Sequence, residues 1–228
     1  MNLYKSIAVV AASLVLGAAA CETNGNTQQG TDNSAVRSVT LEAPAGLATA
    51  AFAEGCFWCT EEIFEAVVGV DSVISGYAGG TTKNPTYDLV NTETTGHAET
   101  VLVYYDPAKV SYEELVRVFY LSQDPTTLNQ QGPDRGSSYR SILFYNTPEE
   151  KATAEKITAQ MNQERYNGKI VTEIKKLDHF YRAEGYHQDY IEHNPGNSYV
   201  QNVSLPRFNK FKATYKGKLK EGVHKGAK

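Results

Sequence analysis

The stretch from Gly55 to Glu61, "GCFWCTE", places two cysteines three residues apart and holds the only tryptophan of the chain. A free thiol has a pKa of about 8.5, so little of it is ionised at neutral pH. At a helix N-terminus, unpaired N–H groups and the positive end of the helix dipole favour the thiolate. If a helix begins here, Cys56 is the better candidate nucleophile, and Cys59, one turn further on, can face the same side.

Three other roles are open to this pair of thiols. A dithiol–disulfide oxidoreductase uses C-x-x-C alone as its redox centre. A structural disulfide persists in an exported protein, although a bridge that closes so short a loop constrains the unfolded chain little. A zinc site needs two further ligands, and the histidines far downstream show no matching spacing, so we expect no bound metal.

A strand followed by a helix must surround the two cysteines. Ala48 to Glu54 is a run of mostly small residues that is typical of a short buried strand. After it, apolar residues recur at helical spacing until Gly69 ends the pattern. They are Ile63, Phe64, Val67 and Val68. The pattern therefore predicts that Cys56 lies between a strand and the first turn of a helix.

Strands and helices alternate along the rest of the domain. Alternating or apolar runs predict strands at residues 70–77, 99–105, 141–145 and 169–177. Capping boxes at Ser111 and Thr147 predict two longer helices, the second ending at Asn167 and Gly168, and residues 183–193 favour a short helix. The order β-α-β-β-α-β, with a further helix and strand, predicts an α+β fold. We expect a mixed β-sheet with packed helices, a two-layer sandwich with a split βαβ (ferredoxin-like) core.

The first 21 residues have the features of a secretory signal peptide. Lys5 gives a positive start, residues 7–16 are apolar, and Cys21 follows three alanines. The apolar run is shorter than the roughly 20 residues of a membrane-spanning helix. We expect lipidation of Cys21, as in a bacterial lipoprotein, although Ala18 stands where leucine is usual. Ordinary cleavage nearby is the alternative.

Composition divides the remaining chain into three parts. Residues 22–45 lack large apolar runs and are expected to form a flexible linker. Residues 46–200 form the folded domain, and the basic tail at 201–228 is expected to be irregular. The net charge of −4 gives no reason to expect a nucleic-acid partner. We expect an exported monomer, anchored to a membrane and facing the periplasm or the cell exterior.

Several short blocks together resemble one enzyme family, the A-type peptide methionine sulfoxide reductases. They follow in the family's order over about residues 48–196: "GCFW" at 55–58, "GYAGG" at 76–80, "NPTY" at 84–87, "TGHAE" at 95–99, "YDP" at 105–107, "QGPDRGSSYRS" at 131–141 and "HQDYIEHNP" at 187–195. The resemblance implies reduction of methionine S-sulfoxide, free or in oxidised proteins and peptides, with no bound cofactor. This is a repair reaction in the response to oxidative stress.

The resemblance also implies roles for individual residues. Cys56 is the nucleophile, and Glu99 is the acid that protonates the sulfoxide oxygen, which requires burial to raise its pKa. The remaining members of the implied catalytic set are Asp134, Tyr87 and Tyr139. The two aromatic residues implied as walls around the S-methyl group are Phe57 and Trp58.

The oxidised nucleophile must be reduced after each turnover. Many family members carry resolving cysteines in the C-terminal tail, but this chain has none after Cys59. Cys59 is therefore the resolving candidate, and direct attack on Cys56 by an external thiol is the alternative. We expect a thioredoxin-like protein or another thiol as the final reductant. A dithiol–disulfide oxidoreductase and a non-catalytic lipoprotein that binds oxidised or methionine-containing peptides remain the competing hypotheses.

Overall fold

The computed structural model describes residues 38–222. The predicted signal peptide, the lipidation of Cys21 and most of the predicted linker lie outside the described residues. The last residues of that linker are described, and they differ from the expectation. Ser38 pairs with Tyr181, and the Val39 nitrogen donates to the Phe180 oxygen at 2.9 Å. Ordered chain therefore begins before residue 45.

In the described part of the chain, six strands form one mixed sheet, and two shorter strands form a separate hairpin. The six are β1 (Ala48–Glu54), β2 (Val70–Ala78), β3 (Ala98–Tyr105), β6 (Ser141–Tyr145), β7 (Glu173–Lys176) and β8 (Phe180–Arg182). The hairpin pairs β4 (Gln130–Gln131) with β5 (Asp134–Arg135). The strand order in the sheet is β7-β6-β1-β3-β2-β8, and only the β6–β7 pair is parallel.

Within residues 38–222, six α-helices accompany the sheet. They are α1 (Phe57–Glu65), α2 (Tyr87–Asn91), α3 (Tyr112–Ser122), α4 (Pro148–Glu164), α5 (Tyr190–His193) and α6 (Leu205–Thr214). The four central strands, in the order β6-β1-β3-β2, are joined through α1 and α3, which is the split βαβ arrangement. The predicted α+β fold is confirmed.

The two faces of the sheet bury different clusters. Alternation along β1 turns Phe52 towards the large core, where residues of α1, α3, α4 and α6 pack, while Ala51 and Ala53 join a smaller cluster on the other face. Val39 and Leu41 pack against that smaller cluster. The helices thus form one layer and the sheet the other.

The predicted helix starts have the expected caps. Ser111 Oγ accepts from the Glu114 nitrogen at 3.1 Å, and Thr147 Oγ1 accepts from the Glu150 nitrogen at 3.2 Å, with Pro148 as the first residue of α4. Each cap satisfies a backbone N–H that has no partner within its helix.

Two expectations about the C-terminal third are wrong. The tail is not irregular, because α6 occupies Leu205–Thr214 after a π-helical turn at Val200–Ser204. Its apolar positions, Phe208 and Phe211, are buried in the large core, while Lys210 and Lys212 are exposed. Two apolar positions are too few to predict a helix in a basic segment. Residues 183–193 are likewise not one helix but a 3-10 turn followed by α5.

Within the described part of the chain, no helix combines the length and the apolar character needed to cross a membrane.

Candidate active site

Cys56 lies at the turn between β1 and α1, as predicted, and is the N-cap residue of α1. Its side chain is only 6% exposed. The next backbone nitrogen, that of Phe57, donates to Glu99 Oε2 at 3.0 Å. This hydrogen bond satisfies an N–H of the first helical turn and holds the Glu99 carboxyl, which projects from β3, beside Cys56.

The Glu99 carboxyl is protonated at neutral pH. Burial raises its pKa to about 8, and the negative charge of Asp134 contributes in the same direction. The hydrogen bonds from the Phe57 nitrogen and from Tyr139 oppose this shift but do not cancel it. A buried, neutral carboxyl can donate a proton to an oxygen, as the acid role requires.

Tyr87 and Tyr139 both lie near Glu99. Tyr139 interacts with Glu99 and with Tyr87, and burial raises the pKa of both phenols, so both remain neutral donors. Tyr87 begins α2, and its backbone nitrogen donates to Glu184 Oε1 at 2.9 Å. These three residues place three potential proton or hydrogen-bond donors together.

Tyr139 is held by a carboxylate from another part of the chain. It ends the 3-10 turn Ser137–Tyr139. Glu93 accepts from Ser137 Oγ at 2.6 Å, from the Ser138 nitrogen at 2.9 Å and from Ser138 Oγ at 2.7 Å. Charge-assisted bonds of this kind fix the turn and so the direction of the tyrosine.

Asp134 is held by Tyr199, whose hydroxyl donates to Asp134 Oδ2 at 2.5 Å. Burial raises the Asp134 pKa, while the bond from Tyr199 opposes that shift. The Tyr199 ring also packs edge-on against Trp58, with centroids 5.9 Å apart. Tyr199 therefore contacts both Asp134, the predicted loop aspartate, and Trp58, one of the two residues predicted to contact the S-methyl group.

The two predicted aromatic walls have different exposures. Phe57 is 1% exposed and packs in the core against His187, with ring centroids 4.9 Å apart. Trp58 is half-buried and stacks on Tyr190 at a centroid distance of 3.7 Å. Of the two, Trp58 offers the more accessible apolar face.

His187 fixes the orientation of Trp58. The indole Nε1 donates to His187 Nδ1 at 3.1 Å. Burial lowers the His187 pKa to about 4, so the imidazole is neutral and its Nδ1 can accept. His187 also lies 4.6 Å from the Tyr87 ring by centroids, and it therefore connects the acid side of the site to the aromatic side.

The charge on the cysteine pair differs from the expectation. Burial, together with the interaction with Cys59, raises the pKa of Cys56 despite its place at the helix N-terminus. The hydrogen bond from Cys56 lowers the pKa of Cys59, with further help from Arg207 and Ser204. Cys59 Sγ lies 3.2 Å from Ser204 Oγ. Burial thus disfavours the Cys56 thiolate, while the groups around Cys59 favour the thiolate there.

Sequence reasoning missed several residues of the site. The block at residues 187–195 is recognisable, but nothing in it indicates that His187 and Tyr190 contact Trp58. Tyr199 lies beyond the recognisable blocks, close to the segment expected to lack structure. No periodicity reveals such contacts, because long-range packing creates them.

Residues 38–222 gather no group of three or more histidine, cysteine or carboxylate side chains that could hold a metal ion. Both cysteines in this part of the chain are free thiols.

Comparisons with known proteins agree with this geometry. The family model described as peptide methionine sulfoxide reductase matches residues 48–219. The peptide methionine sulfoxide reductase MsrA of Haloquadratum walsbyi is 48% identical over 171 residues, which cover 75% of this chain and 98% of that protein. MsrA 1 of Rhodopirellula baltica is 46% identical over 182 residues, covering 80% and 94% of the two chains.

Solved structures show the same relationship. Methionine sulfoxide reductase A of Corynebacterium diphtheriae superposes with a TM-score of 0.65 at 34% identity, covering 68% of this chain and 78% of that one. The reduced form of Mxr1 from Saccharomyces cerevisiae gives a TM-score of 0.65 at 32% identity, covering 72% and 92%. None of these relatives supports the dithiol–disulfide oxidoreductase alternative. The chain belongs to the peptide methionine sulfoxide reductase family, whose members need no bound cofactor, and it is an oxidoreductase that reduces methionine sulfoxide.

Proposed function

We propose that the protein reduces methionine S-sulfoxide, free and in oxidised proteins, with Cys56 as the nucleophile and Glu99 as the acid. The observation that carries this proposal is the hydrogen bond from the Phe57 nitrogen to Glu99 Oε2. It holds a carboxyl that is neutral at pH 7 next to the candidate nucleophile.

Substrate binding follows from the aromatic and hydroxyl groups. The S-methyl group packs against Trp58, an apolar face suited to a thioether-like head. The sulfoxide oxygen accepts hydrogen bonds from Glu99, Tyr87 and Tyr139, all of which are neutral donors in the resting site. Preorganised donors of this kind stabilise charge as it develops on the oxygen.

The first half-reaction transfers the oxygen to Cys56. Cys56 loses its proton to solvent and attacks the sulfoxide sulfur, so that a sulfur–sulfur bond forms while Glu99 protonates the oxygen. The hydroxyl then passes from the substrate sulfur to Cys56 as the sulfur–oxygen bond of the substrate and the bond between the two sulfurs break, methionine leaves, and Cys56 retains the oxygen as a sulfenic acid. The substrate sulfur is reduced by two electrons and Cys56 is oxidised by two.

The second half-reaction restores the thiol. Cys59 attacks the sulfur of the Cys56 sulfenic acid, a disulfide forms, and the oxygen leaves as water. A thioredoxin-like dithiol then reduces the disulfide by exchange. Cys59 supports this route because it lies one helical turn from Cys56, interacts with it electrostatically and has a lowered pKa.

We also propose that the protein is exported and anchored to a membrane by acyl chains on Cys21, facing the periplasm or the cell exterior. The support is the sequence of residues 1–21, with its positive start, apolar run and terminal alanines before cysteine. Metabolic labelling with a fatty acid tests this: label is expected on the wild type and not on Cys21→Ser. Equal labelling of the two proteins, or none of either, rejects the anchor.

Turnover of separated sulfoxide epimers with dithiothreitol tests the catalytic proposal. We expect the wild type to reduce the S epimer and not the R epimer, and Cys56→Ser to reduce neither. Comparable rates with wild type and Cys56→Ser would reject Cys56 as the nucleophile.

A further inference from the structure

A buried ion pair lies on the Cys59 side of the site, and the proposed sulfoxide reduction assigns it no role. Glu54, the last residue of β1, is fully buried, and its Oε1 lies 2.7 Å from Arg207 Nη2. Ser122 Oγ, at the end of α3, lies 3.0 and 2.8 Å from the two carboxylate oxygens. A buried charge is stable only when it is paired and hydrogen-bonded, so this pair must be kept together.

Arg207 is fixed in place by more than its ion pair. Its Nε donates to the backbone carbonyl oxygen of Ser122 at 2.7 Å, and its Nη2 donates to the backbone carbonyl oxygen of Glu54 at 3.0 Å. The Arg207 side chain is 12% exposed. Ser204 precedes Arg207 by three residues, a spacing that places both on one face of a helical segment. The hydroxyl of Ser204 lies 3.2 Å from Cys59 Sγ. The start of α6 thus directs a hydroxyl and a guanidinium towards β1 and α1.

One cation here faces several acidic groups, among which Glu54 and Cys59 raise its pKa the most and Asp134 also interacts with it. Arg207 interacts electrostatically with Glu54 and with Cys59, and weaker solvent screening in the interior makes both interactions strong. Burial raises the pKa of Glu54 to about 7, Arg207 opposes this, and Cys59 adds to it. The groups around Glu54 come from four directions: Arg207 from α6, Ser122 from α3, Cys59 and Thr60 from α1, and Tyr166 from the chain after α4. Arg207 is the only cation among these groups.

We propose that Ser204 and Arg207 are positioning residues for the recycling step: they hold Cys59 as a thiolate, and Glu54 competes with that thiolate for the charge of Arg207. This inference rests on the proposed recycling through Cys59. A hydroxyl can rotate to donate to the sulfur anion, and the guanidinium stabilises it electrostatically.

The chemical step balances without a further reactant. The Cys59 thiolate forms a bond to the Cys56 sulfur, the sulfur–oxygen bond of the sulfenic acid breaks, and hydroxide leaves and takes a proton from solvent to become water. When the thiolate charge disappears into the disulfide, the carboxylate of Glu54 remains the ion-pair partner of Arg207. The site therefore contains a buried anion in both redox states.

The pH dependence of Cys59 alkylation tests the proposal without requiring turnover. All proteins carry Cys56→Ser, which leaves a hydroxyl donor beside Cys59, and modification of the Cys59 peptide by iodoacetamide is followed by mass spectrometry. We expect Arg207→Met to raise the apparent pKa of Cys59 by roughly one unit or more and Glu54→Gln to lower it. We expect Ser204→Ala to raise the apparent pKa of Cys59 and Ser204→Thr, which keeps a hydroxyl, to leave it at the value of the protein with Ser204. Lys210→Met, which removes an exposed charge from the same helix, serves as the control and leaves it unchanged.

Opposite shifts in Glu54→Gln and Arg207→Met are the result that a purely structural role does not give, because both substitutions break the same ion pair. Shifts in the same direction, or no shifts, overturn the proposal. If Arg207→Met does not fold, the other two variants still test the proposal: it requires a lowered Cys59 pKa in Glu54→Gln and a raised one in Ser204→Ala.

A quenched single turnover separates this proposal from the proposed function. We expect Arg207→Met to slow disulfide formation about tenfold relative to methionine formation at about pH 5, since below the Cys59 pKa of about 6 one pKa unit changes the thiolate fraction tenfold. Equal slowing of both steps contradicts the positioning role. If the wild-type protein forms no methionine, the proposed function is refuted instead. The alkylation experiment requires no turnover, so its result tests the positioning role independently of that outcome.

Discussion

Glu99 Oε2 accepts a hydrogen bond from the Phe57 nitrogen at 3.0 Å, which joins the acid on β3 to the first residue of α1. The two residues are 42 positions apart in sequence, and the cysteine between β1 and α1 is brought beside the carboxyl by this contact. Burial keeps that carboxyl neutral, with a pKa raised to about 8. The sheet therefore places a buried, neutral carboxyl next to the candidate nucleophile.

The raised pKa of Glu99 predicts the pH dependence of the first half-reaction. The carboxyl is protonated, and able to donate, below pH 8, and loses its proton as the pH rises through about 8. We expect the single-turnover rate of methionine formation to fall above that pH. Glu99→Gln is expected to lower the rate by about 10²–10⁴-fold and to remove this pH dependence, as loss of a general acid does. A variant that keeps the same alkaline decline shows that another group titrates.

The two phenols near Glu99 are expected to share the task of binding the sulfoxide oxygen. Removing one preorganised donor typically costs about 10²–10³ in rate, and a neighbouring phenol offsets part of the loss. We expect Tyr87→Phe and Tyr139→Phe each to lower kcat/KM by about tenfold to 100-fold, and the double variant to lose more than either. Tyr104→Phe, on the opposite face of the sheet, is the control. An unchanged double variant would remove both phenols from the mechanism.

Glu61 predicts how stability depends on pH. Burial, with the charges of Glu65 and Asp189, raises its pKa to about 9. A carboxyl whose pKa is higher in the folded state stabilises the fold fully below its unfolded value of 4.5, and this contribution is lost as the pH rises towards 9. Burial raises the pKa of Glu54, Glu65 and Glu99 in the same direction. We therefore expect the free energy of unfolding to fall from about pH 5 to about pH 9.

Urea unfolding of Glu61→Gln at about pH 5, 7 and 9 measures this contribution. An amide keeps the size of the side chain and cannot ionise, and it can hydrogen-bond with Ser75, which interacts with the carboxyl. We expect the variant to be more stable than the wild type at the highest pH by at least about 1 kcal/mol, since one pKa unit corresponds to about 1.4 kcal/mol. The exposed Glu155→Gln serves as the control. A decline in Glu61→Gln as steep as that of the wild type would show that Glu61 is not the titrating group.

Cys59→Ser tests the recycling route. After one turnover without reductant, we expect the wild type to contain a Cys56–Cys59 disulfide and the variant to keep a sulfenic acid that a trapping reagent such as dimedone labels. Methionine formation in the single turnover is expected to proceed in both proteins, because Cys59 acts after oxygen transfer. A trapped sulfenic acid in the wild type, at the level found in Cys59→Ser, would favour direct attack by an external thiol.

The central part of the fold could be predicted from the sequence, and the C-terminal part could not. β1 and β6 have the predicted bounds because their apolar runs are buried and end at clear turns, and the capping boxes mark the starts of α3 and α4. α6 was missed because its stability comes from the burial of Phe208 and Phe211 rather than from a repeating pattern. Tyr199, Ser204 and Arg207 reach the cysteines only because that segment folds back over α1.

The pKa shifts of the two thiols are a second feature that could not be predicted from the sequence. A helix N-terminus favours a thiolate, but the position alone does not reveal that Cys56 is buried. Burial and the neighbouring Cys59 outweigh the dipole and raise the pKa of Cys56. Groups that become neighbours only after folding, Cys56 first and Arg207 with it, lower the pKa of Cys59.

The most direct test of the central claim is the stoichiometry of methionine formed from S-sulfoxide without any reductant. We predict about one equivalent of methionine per wild-type protein, with the matching loss of thiol at Cys56, and none from Cys56→Ser. Methionine formation by Cys56→Ser, or none by a folded wild-type protein with its thiols reduced, would contradict the account.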